Sequence, residues 1–412
     1  MGKRIAALVL AVCMALPLFG CGGRIEAQCL TDGITVQTID TRTDLTDDSS
    51  AVMDFAAALL RQTAGKEGVL LSPVSLLYAL GMTANGASGE TLAQLEQVTG
   101  MGRDTLNDYL YTYRMSLPEN TKKCKLSLAD SLWVRDGFRM EDGFLDACVN
   151  YYDAEVYRSA FDETMVSDLN HWVDSRTDGM IDKLLEEAPG SMTMLYLVNA
   201  VCFDARWQEP YEKSQIQEGA AFTAADGTRQ TADLLWSEES IYLSDDDTTG
   251  FMKYYDGGRY AFVGLLPQEG VSLADYIAGL TGGKLHALLN GHQYGRVEAA
   301  IPRFTAASSL ELSDALKAMG VTDAFDVAKA DLRTMGGAPN DQLHIGSVLQ
   351  KTYLELDENG TKAAAVTAIE AAAGAAEPPE VHRVVLDRPF VYMIVDTHAN
   401  LPLFLGTVTT MD

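Results

Sequence analysis

The sequence predicts an α+β fold in one large domain. Patterns typical of amphipathic helices are concentrated early in the chain, and segments rich in β-branched and aromatic residues dominate later. No Pro/Gly/Ser-rich linker divides the roughly 360 residues that follow the N-terminal region. No repeat with a period of about 20 to 50 residues is present, which argues against a solenoid.

The early helices have recognisable starts. Ser49 or Ser50 is expected to cap a first helix, because apolar residues then recur at helical spacing. Ser72 supplies a second capping hydroxyl, and Pro73 follows at the first helical position, where its missing N–H costs nothing. A later helix is predicted within residues 168–185, where it runs into a turn.

The strand signals are runs of β-branched and aromatic residues bounded by turn-forming residues. The last two strands follow each other closely and are separated by a short polar turn. The predicted strands lie at 125–134, 260–266, 297–301, 349–356, 387–395 and 402–408.

The first twenty residues are typical of an export signal. Lys3 and Arg4 precede an apolar stretch over 5–18 that is short for a transmembrane span. The residues before Cys21 resemble a bacterial lipobox, which implies cleavage at residue 20 and lipid attachment to Cys21. An ordinary secretory signal is the alternative. We expect a signal over 1–20, a polar tether over 21–48, the folded domain over 49–412, and an exported lipoprotein or extracellular protein.

The net charge bears on the partners of the chain, and the cysteine content bears on its disulfides. The formal net charge of −27 argues against a nucleic-acid partner, because phosphates require basic side chains, and it favours basic partners. Beyond the signal and Cys21, four cysteines lie at 29, 124, 148 and 202 without a C-x-x-C spacing. Buried free thiols are favoured, although an exported chain also permits a disulfide.

The familiar catalytic signatures are missing from the sequence. It contains no Gly-x-Ser-x-Gly, no His-Glu-x-x-His and no phosphate-binding loop, and its six histidines lack metal-ligand spacing. We therefore expect no catalytic residues, no metal and no cofactor. An enzyme assembled from distant residues is the weakest of the alternatives.

The most informative segment is 358–374, near the C-terminus. It begins with Gly360 as a flexible point and continues with small residues, without an aromatic residue and without proline before Pro378. A helix or a linker is the simpler interpretation of an Ala-rich run. However, the chain returns directly to the last strands of the same domain, and long loops in compact domains are usually functional.

Several sequence fragments together resemble the serpin family. They are the Glu-x-Gly-Thr-x-Ala-Ala-Ala hinge at 358–365, the Arg-Pro-Phe at 388–390, and similar signatures at 71–75, 170–181, 199–207, 301–304 and 316–321. The resemblance implies a large central β-sheet, further sheets, a helical layer and an exposed reactive loop over about 358–381.

The resemblance also implies functional positions. A reactive bond is expected between Gly374 and Ala375, with Ala373 and Ala376 as alternatives in register. The hinge residues implied are Glu358, Gly360, Thr361, Ala363, Ala364, Ala365 and Val366. The sheet-opening residues implied are Ser72, Ser75, Asn199, Trp207 and Gln350, where Gln350 replaces the histidine common in the family and Trp207 has core packing as its alternative role.

The implied activity is inhibition of a serine protease by covalent trapping, followed by insertion of the cut loop into the central sheet. Small side chains at the scissile bond favour elastase-like or subtilisin-like targets over trypsin-like ones, which require a basic residue there. The alternative is a non-inhibitory protein of the same fold whose loop is only a substrate. A monomer is expected, attached to the membrane through Cys21.

Overall fold

Nine α-helices and eighteen β-strands make up the described part of the chain, which confirms the predicted α+β class. The structure is a computed structural model of the 412-residue chain. It describes residues 25–42, 44–65, 67–190, 193–338, 343–361 and 381–411. The helices are α1 (Thr46–Thr63), α2 (Pro73–Gly86), α3 (Gly89–Thr99), α4 (Arg103–Ser116), α5 (Asp142–Tyr152), α6 (Glu163–Arg176), α7 (Leu273–Ala278), α8 (Gly282–Asn290) and α9 (Ser313–Met319).

The strands form two large sheets and one two-stranded ribbon. They are β1 (Gln28–Cys29), β2 (Leu70–Leu71), β3 (Cys124–Arg135), β4 (Arg139–Met140), β5 (Glu155–Ser159), β6 (Leu195–Arg206), β7 (Ile216–Thr223), β8 (Arg229–Ser244), β9 (Thr248–Tyr254), β10 (Tyr260–Pro267), β11 (Gln293–Pro302), β12 (Phe304–Glu311), β13 (Gly336–Gly337), β14 (Ser347–Leu356), β15 (Gly360–Thr361), β16 (Val381–Val385), β17 (Phe390–Asp396) and β18 (Leu401–Val408). Every strand predicted from the sequence is present.

Sheet A, as we call the seven-stranded sheet, has the order β1-β5-β3-β6-β15-β14-β12. Sheet B has nine strands, eight of them in the order β16-β11-β8-β9-β10-β17-β18-β2, with β7 paired to β8. Its strands β17 and β18 are buried along their whole lengths. The two sheets and the helices around them share one main hydrophobic core.

Helix α2 connects the two sheets. It contacts β3 and β6 of sheet A and β18 of sheet B, and nearly all of its residues are buried. A helix that is apolar on all sides belongs in a core. Pro73 occupies its first turn as predicted, but Ser72 does not cap it. The Ser72 hydroxyl instead donates a hydrogen bond to the Leu403 carbonyl oxygen at 2.7 Å, which ties the helix start to β18.

Two predicted helix boundaries are wrong. Helix α1 begins at Thr46, so Ser49 and Ser50 lie inside it and do not cap it. The later helix covers 163–176 instead of 168–185. It begins early because the Asp162 carboxylate accepts a hydrogen bond from the Thr164 amide. It ends at Arg176, before two consecutive residues with left-handed backbone, Asp178 and Gly179.

The predicted tether is corrected over residues 25–42, which lie against the domain. Strand β1 adds to the edge of sheet A by pairing with β5. The buried Asp168 carboxylate accepts hydrogen bonds from the amides of Glu26 and Ala27 at 3.0 and 2.7 Å. Farther along, the Gln37 amide donates to the Asn150 side chain at 2.6 Å. Backbone groups that pair with the domain in this way do not form a free linker.

All four cysteines in the described ranges are free thiols. Cys148 and Cys202 are buried, whereas Cys29 and Cys124 are half-buried. Burial raises the pKa of the Cys124 and Cys202 thiols to about 11, so both are protonated and unreactive at neutral pH. Among the described helices, none has the length and apolar character needed to cross a bilayer.

Candidate functional site: the hinge and the sheet-opening region

The site lies where β6 and β14 run side by side in the middle of sheet A. They pair in parallel, from Tyr196 opposite Ser347 to Cys202 opposite Tyr353. Beyond that point β15 lies between them and is antiparallel to both. A parallel ladder is slightly less stable per residue than an antiparallel one. A strand that continued from β15 would therefore exchange one parallel ladder for two antiparallel ladders.

Two of the predicted hinge residues, Gly360 and Thr361, form β15 itself. Gly360 has φ of 153° and pairs with Arg206. A Cβ atom on Gly360 would collide with the Ala205 carbonyl oxygen, so no other residue fits without displacing the strand. Thr361 is fully buried, and its hydroxyl lies 2.8 Å from the Tyr255 hydroxyl, within hydrogen-bonding distance.

Trp207 holds the segment that leads to the hinge. Its indole N–H donates to the Asp357 carbonyl oxygen and its backbone amide donates to the Asn359 carbonyl oxygen, both at 2.9 Å. The indole also stacks on the buried Tyr255 ring, with centroids 4.4 Å apart. Trp207 is therefore a core residue that also contacts the hinge, and its role in opening the sheet stays a prediction.

Glu358, at the start of the predicted hinge, is positioned from two directions. Its carbonyl oxygen accepts a hydrogen bond from the Tyr211 amide at 2.8 Å. Its carboxylate forms an ion pair with the Arg303 guanidinium at 2.7 Å, and each side chain is about one third exposed. Exposed pairs contribute about 0 to 1 kcal/mol, so this contact orients the hinge more than it stabilises the fold.

Four residues of the predicted sheet-opening region form one buried hydrogen-bond network. The Gln350 amide group on β14 donates to the Asn199 side chain on β6 at 2.9 Å and to the Ser72 carbonyl oxygen at 3.0 Å. The Ser72 amide donates back to Gln350 at 2.9 Å, and the Asn199 amide donates to the Ser75 carbonyl oxygen at 2.8 Å. Gln350 thus links both strands to the start of α2.

Sequence reasoning missed Asp130, which completes this network. The Asn199 amide donates to the Asp130 carboxyl on β3 at 2.5 Å, and Asp130 is almost fully buried. Burial raises the pKa of Asp130 to about 8, while the hydrogen bond from Asn199 opposes the shift. With this pKa the Asp130 carboxyl is largely protonated at neutral pH. The only sequence signal for Asp130 was its position as a carboxyl group within a β-forming run.

The other predicted positions lie outside the described residues. These are Cys21, the hinge residues Ala363, Ala364, Ala365 and Val366, and the reactive-bond candidates Ala373, Gly374, Ala375 and Ala376. The described chain frames them, since it includes Thr361 in sheet A and continues from Val381 in sheet B.

The described residues place three features of the site together. β6 and β14 pair with each other, a buried polar network joins them to α2, and β15 lies between them at one end. Across the described ranges, no group of three or more His, Cys, Asp or Glu side chains could hold a metal ion.

Comparisons with known proteins agree on one family. The family model described as "Serpin (serine protease inhibitor)" matches residues 50–411. The chain is 29% identical to glia-derived nexin of Mus musculus over 83% of this chain and 87% of that protein. It is also 29% identical to Iris of Ixodes ricinus, over 87% and 98% of the two chains.

A solved structure gives the same result. The thermophilic serpin tengpin in its native state superimposes with a TM-score of 0.89 at 39% identity, over 93% of this chain and all of that one. Taken with the match to the family model, this likeness shows that the chain belongs to the serpin family.

Proposed function

We propose that the chain inhibits a serine protease by offering residues 358–381 as a loop that is cut and then inserts between β6 and β14. The observation that carries the proposal is β15, which already lies between these strands at the point where the loop begins. Thr361 points into the core. Because side chains alternate along a strand, Ala363 and Ala365 would also face inward and Lys362 outward.

The covalent step is the first half of a normal proteolytic cycle. The protease serine oxygen attacks the carbonyl carbon of Gly374 and becomes bonded to it, and the bond from that carbon to the Ala375 nitrogen breaks. The protease histidine passes the serine proton to the departing Ala375 amine. The protease then carries residue 374 as an ester, and insertion of the loop must precede hydrolysis of that ester.

The loop has the length that insertion requires. Thr361 to Gly374 is 14 residues, which span roughly 45 Å at about 3.3 Å per residue in a strand. β6 has 12 residues, which correspond to about 40 Å. An inserted loop would therefore carry the attached protease to the opposite end of sheet A, where it would be held away from the hinge.

Small residues at the proposed reactive bond favour proteases with a shallow primary pocket. Gly374 and its neighbours at 373, 375 and 376 present no side chain larger than a methyl group. A trypsin-like pocket, which requires a cation, gains nothing from them. Elastase-like or subtilisin-like enzymes are therefore the proposed targets.

The proposal is tested by mixing pancreatic elastase with the chain from Gly22 onward, which lacks the proposed signal and lipid site. A covalent band at the summed mass on a denaturing gel, with a released fragment that begins near Ala375, supports it. Clean cleavage without a complex supports the alternative, a non-inhibitory serpin whose loop is only a substrate.

Two matched hinge variants sharpen the test. Thr361→Arg places a charged side chain at the inward position beside Tyr255, so the loop should be cut without trapping the protease. Lys362→Ala changes the neighbouring, outward position and should trap normally. Equal trapping by both variants would contradict insertion at β15.

We also propose that the chain is exported as a monomer and attached to a membrane by lipid on Cys21. The apolar stretch and the residues before Cys21 support this proposal. In cells fed labelled palmitate, the full chain should carry label and sediment with membranes. Cys21→Ser should remove both properties, and label that persists in this variant would refute lipid attachment there.

A further inference from the structure

A groove of about 450 Å³ lies on the surface between the two described ends of the reactive-loop region. We call it the loop-base groove. It is lined in part by Glu209, Glu238, Tyr254, Gly295 and Arg296.

The hinge is hydrogen-bonded to a residue next to the loop-base groove. The Trp207 amide donates to the Asn359 carbonyl oxygen, and the next residue, Gln208, lines the groove. The other end of the loop region lies on the opposite side, because Arg296 on β11 pairs with Val381, the first residue of β16. A protease bound to the loop between these two points therefore faces the groove.

Tyr294 is the chain neighbour of Gly295, which lines the groove. Its side chain is 80% exposed. It precedes Gly295 in a part of β11 that extends beyond the pairing with β16, and the β11–β8 register shifts between Tyr294 and Val297. Such irregularities redirect side chains and are frequent beside functional sites. The His292 ring supports it edge-on, with centroids 5.0 Å apart. Exposed tyrosines held in this way are typical anchors of protein interfaces.

The groove carries a net negative charge. Two of its acidic residues are paired, Glu239 with Lys253 at 3.0 Å and Glu238 with Arg296 at 2.7 Å. Glu209 is exposed and forms no ion pair with any residue of the described ranges. An incoming basic side chain would find this carboxylate available.

We propose that the loop-base groove and Tyr294 dock a basic surface segment of the target protease. This inference rests on the proposed inhibitory function. Since the scissile residues are glycine and alanine, the primary pocket of the protease buries little area. Contacts outside the loop must then supply much of the association rate. A second copy of this chain is a poor occupant, because each copy carries a formal charge of −27.

The test measures the second-order rate constant for inhibition of pancreatic elastase by the chain from Gly22 onward. Tyr294→Ala should lower it about tenfold, the loss expected for an interface anchor. Glu209→Lys should lower it about tenfold at roughly 0.05 M salt and much less at roughly 0.5 M, where screening removes charge attraction. The yield of covalent complex and the thermal midpoint should not change, which separates docking from folding and from loop insertion.

Exposed positions that do not line the groove provide controls. Met115→Ala removes another exposed apolar side chain, which is 55% exposed, and should leave the rate unchanged. Glu119→Lys makes the same charge change on the exposed loop after α4 and should also have little effect.

Rates for Tyr294→Ala and Glu209→Lys within twofold of wild type would overturn the docking surface while leaving the inhibitory function intact. If the wild-type chain self-associates, Tyr294→Ala does not, and both inhibit elastase at the same rate, a second copy of the chain is the occupant of the groove. That result would also overturn the proposal. The absence of any covalent complex with the wild-type chain would overturn both proposals.

Discussion

Replacing Asp130 by Asn should change how the stability of the chain depends on pH. Asp130 is a buried residue of β3 in sheet A and accepts a hydrogen bond from Asn199. Tyr78, Arg114, Glu155 and Arg176 line the same cavity, whose volume is about 320 Å³. Asparagine has nearly the same shape and can accept the same hydrogen bond but cannot ionise. The substitution therefore removes the titration and keeps the packing.

The size of the effect follows from the two pKa values. An unfolded Asp130 ionises near the ordinary value of 3.8, whereas the folded pKa is about 8. Between these values the folded chain holds one proton more than the unfolded chain, so the free energy of unfolding falls as pH rises. The fall is about 1.4 kcal/mol per pH unit, or about 4 kcal/mol from pH 5 to pH 8. Asp130→Asn should lack this contribution.

The assay is urea unfolding of both chains at pH 5, 6, 7 and 8, with the difference in free energy between them plotted against pH. That difference should shift by about 4 kcal/mol in favour of Asp130→Asn as pH rises. Asp136→Asn, at an exposed position just after β3, is the control for the change in charge. A difference that stays constant within about 0.5 kcal/mol would show that Asp130 is ionised in the fold and refute the reasoning.

Three further outcomes are expected. Gln350→Ala should lower the free energy of unfolding, measured in urea titrations, by about 3 to 5 kcal/mol, because it opens a cavity and leaves buried partners unsatisfied. Its control is Lys351→Ala at the neighbouring, half-buried position, which should lower the free energy of unfolding by less than about 1 kcal/mol. Gly360→Ala should displace β15 and raise the number of inhibitor molecules consumed per protease, and unchanged stoichiometry would count against the close contact with Ala205. Deleting residues 22–30 should lower the free energy of unfolding by about 2 kcal/mol, because the buried Asp168 carboxylate loses two hydrogen-bond donors. A urea midpoint equal to that of the chain from Gly22 onward would contradict the docking of β1.

The parts of the fold that could be predicted from the sequence depend on local signals. The strand over 390–396 is predictable because its own residues are mostly β-branched or aromatic. The start of α2 is predictable because the ring of Pro73 suits only the first turn of a helix. The positions of Gln350 and Asn199 came from the family resemblance, and the structure places them in hydrogen-bonding contact.

The features that could not be predicted depend on partners distant in sequence. The pairing of 28–29 with β5 involves residues more than a hundred positions away, and nothing in the polar composition of 21–48 indicates it. Ser72 resembles a helix cap locally but bonds to Leu403. Asp130 was missed for the same reason, because its burial depends on how β3 packs against neighbouring elements.

The most direct test of loop insertion is the thermal midpoint of the chain before and after a single cut within residues 362–380. If the cut loop enters between β6 and β14, two antiparallel ladders replace one parallel ladder, and the midpoint should rise strongly. An unchanged or lower midpoint in the cut chain would mean that the loop stays outside sheet A, which would contradict the proposed mechanism.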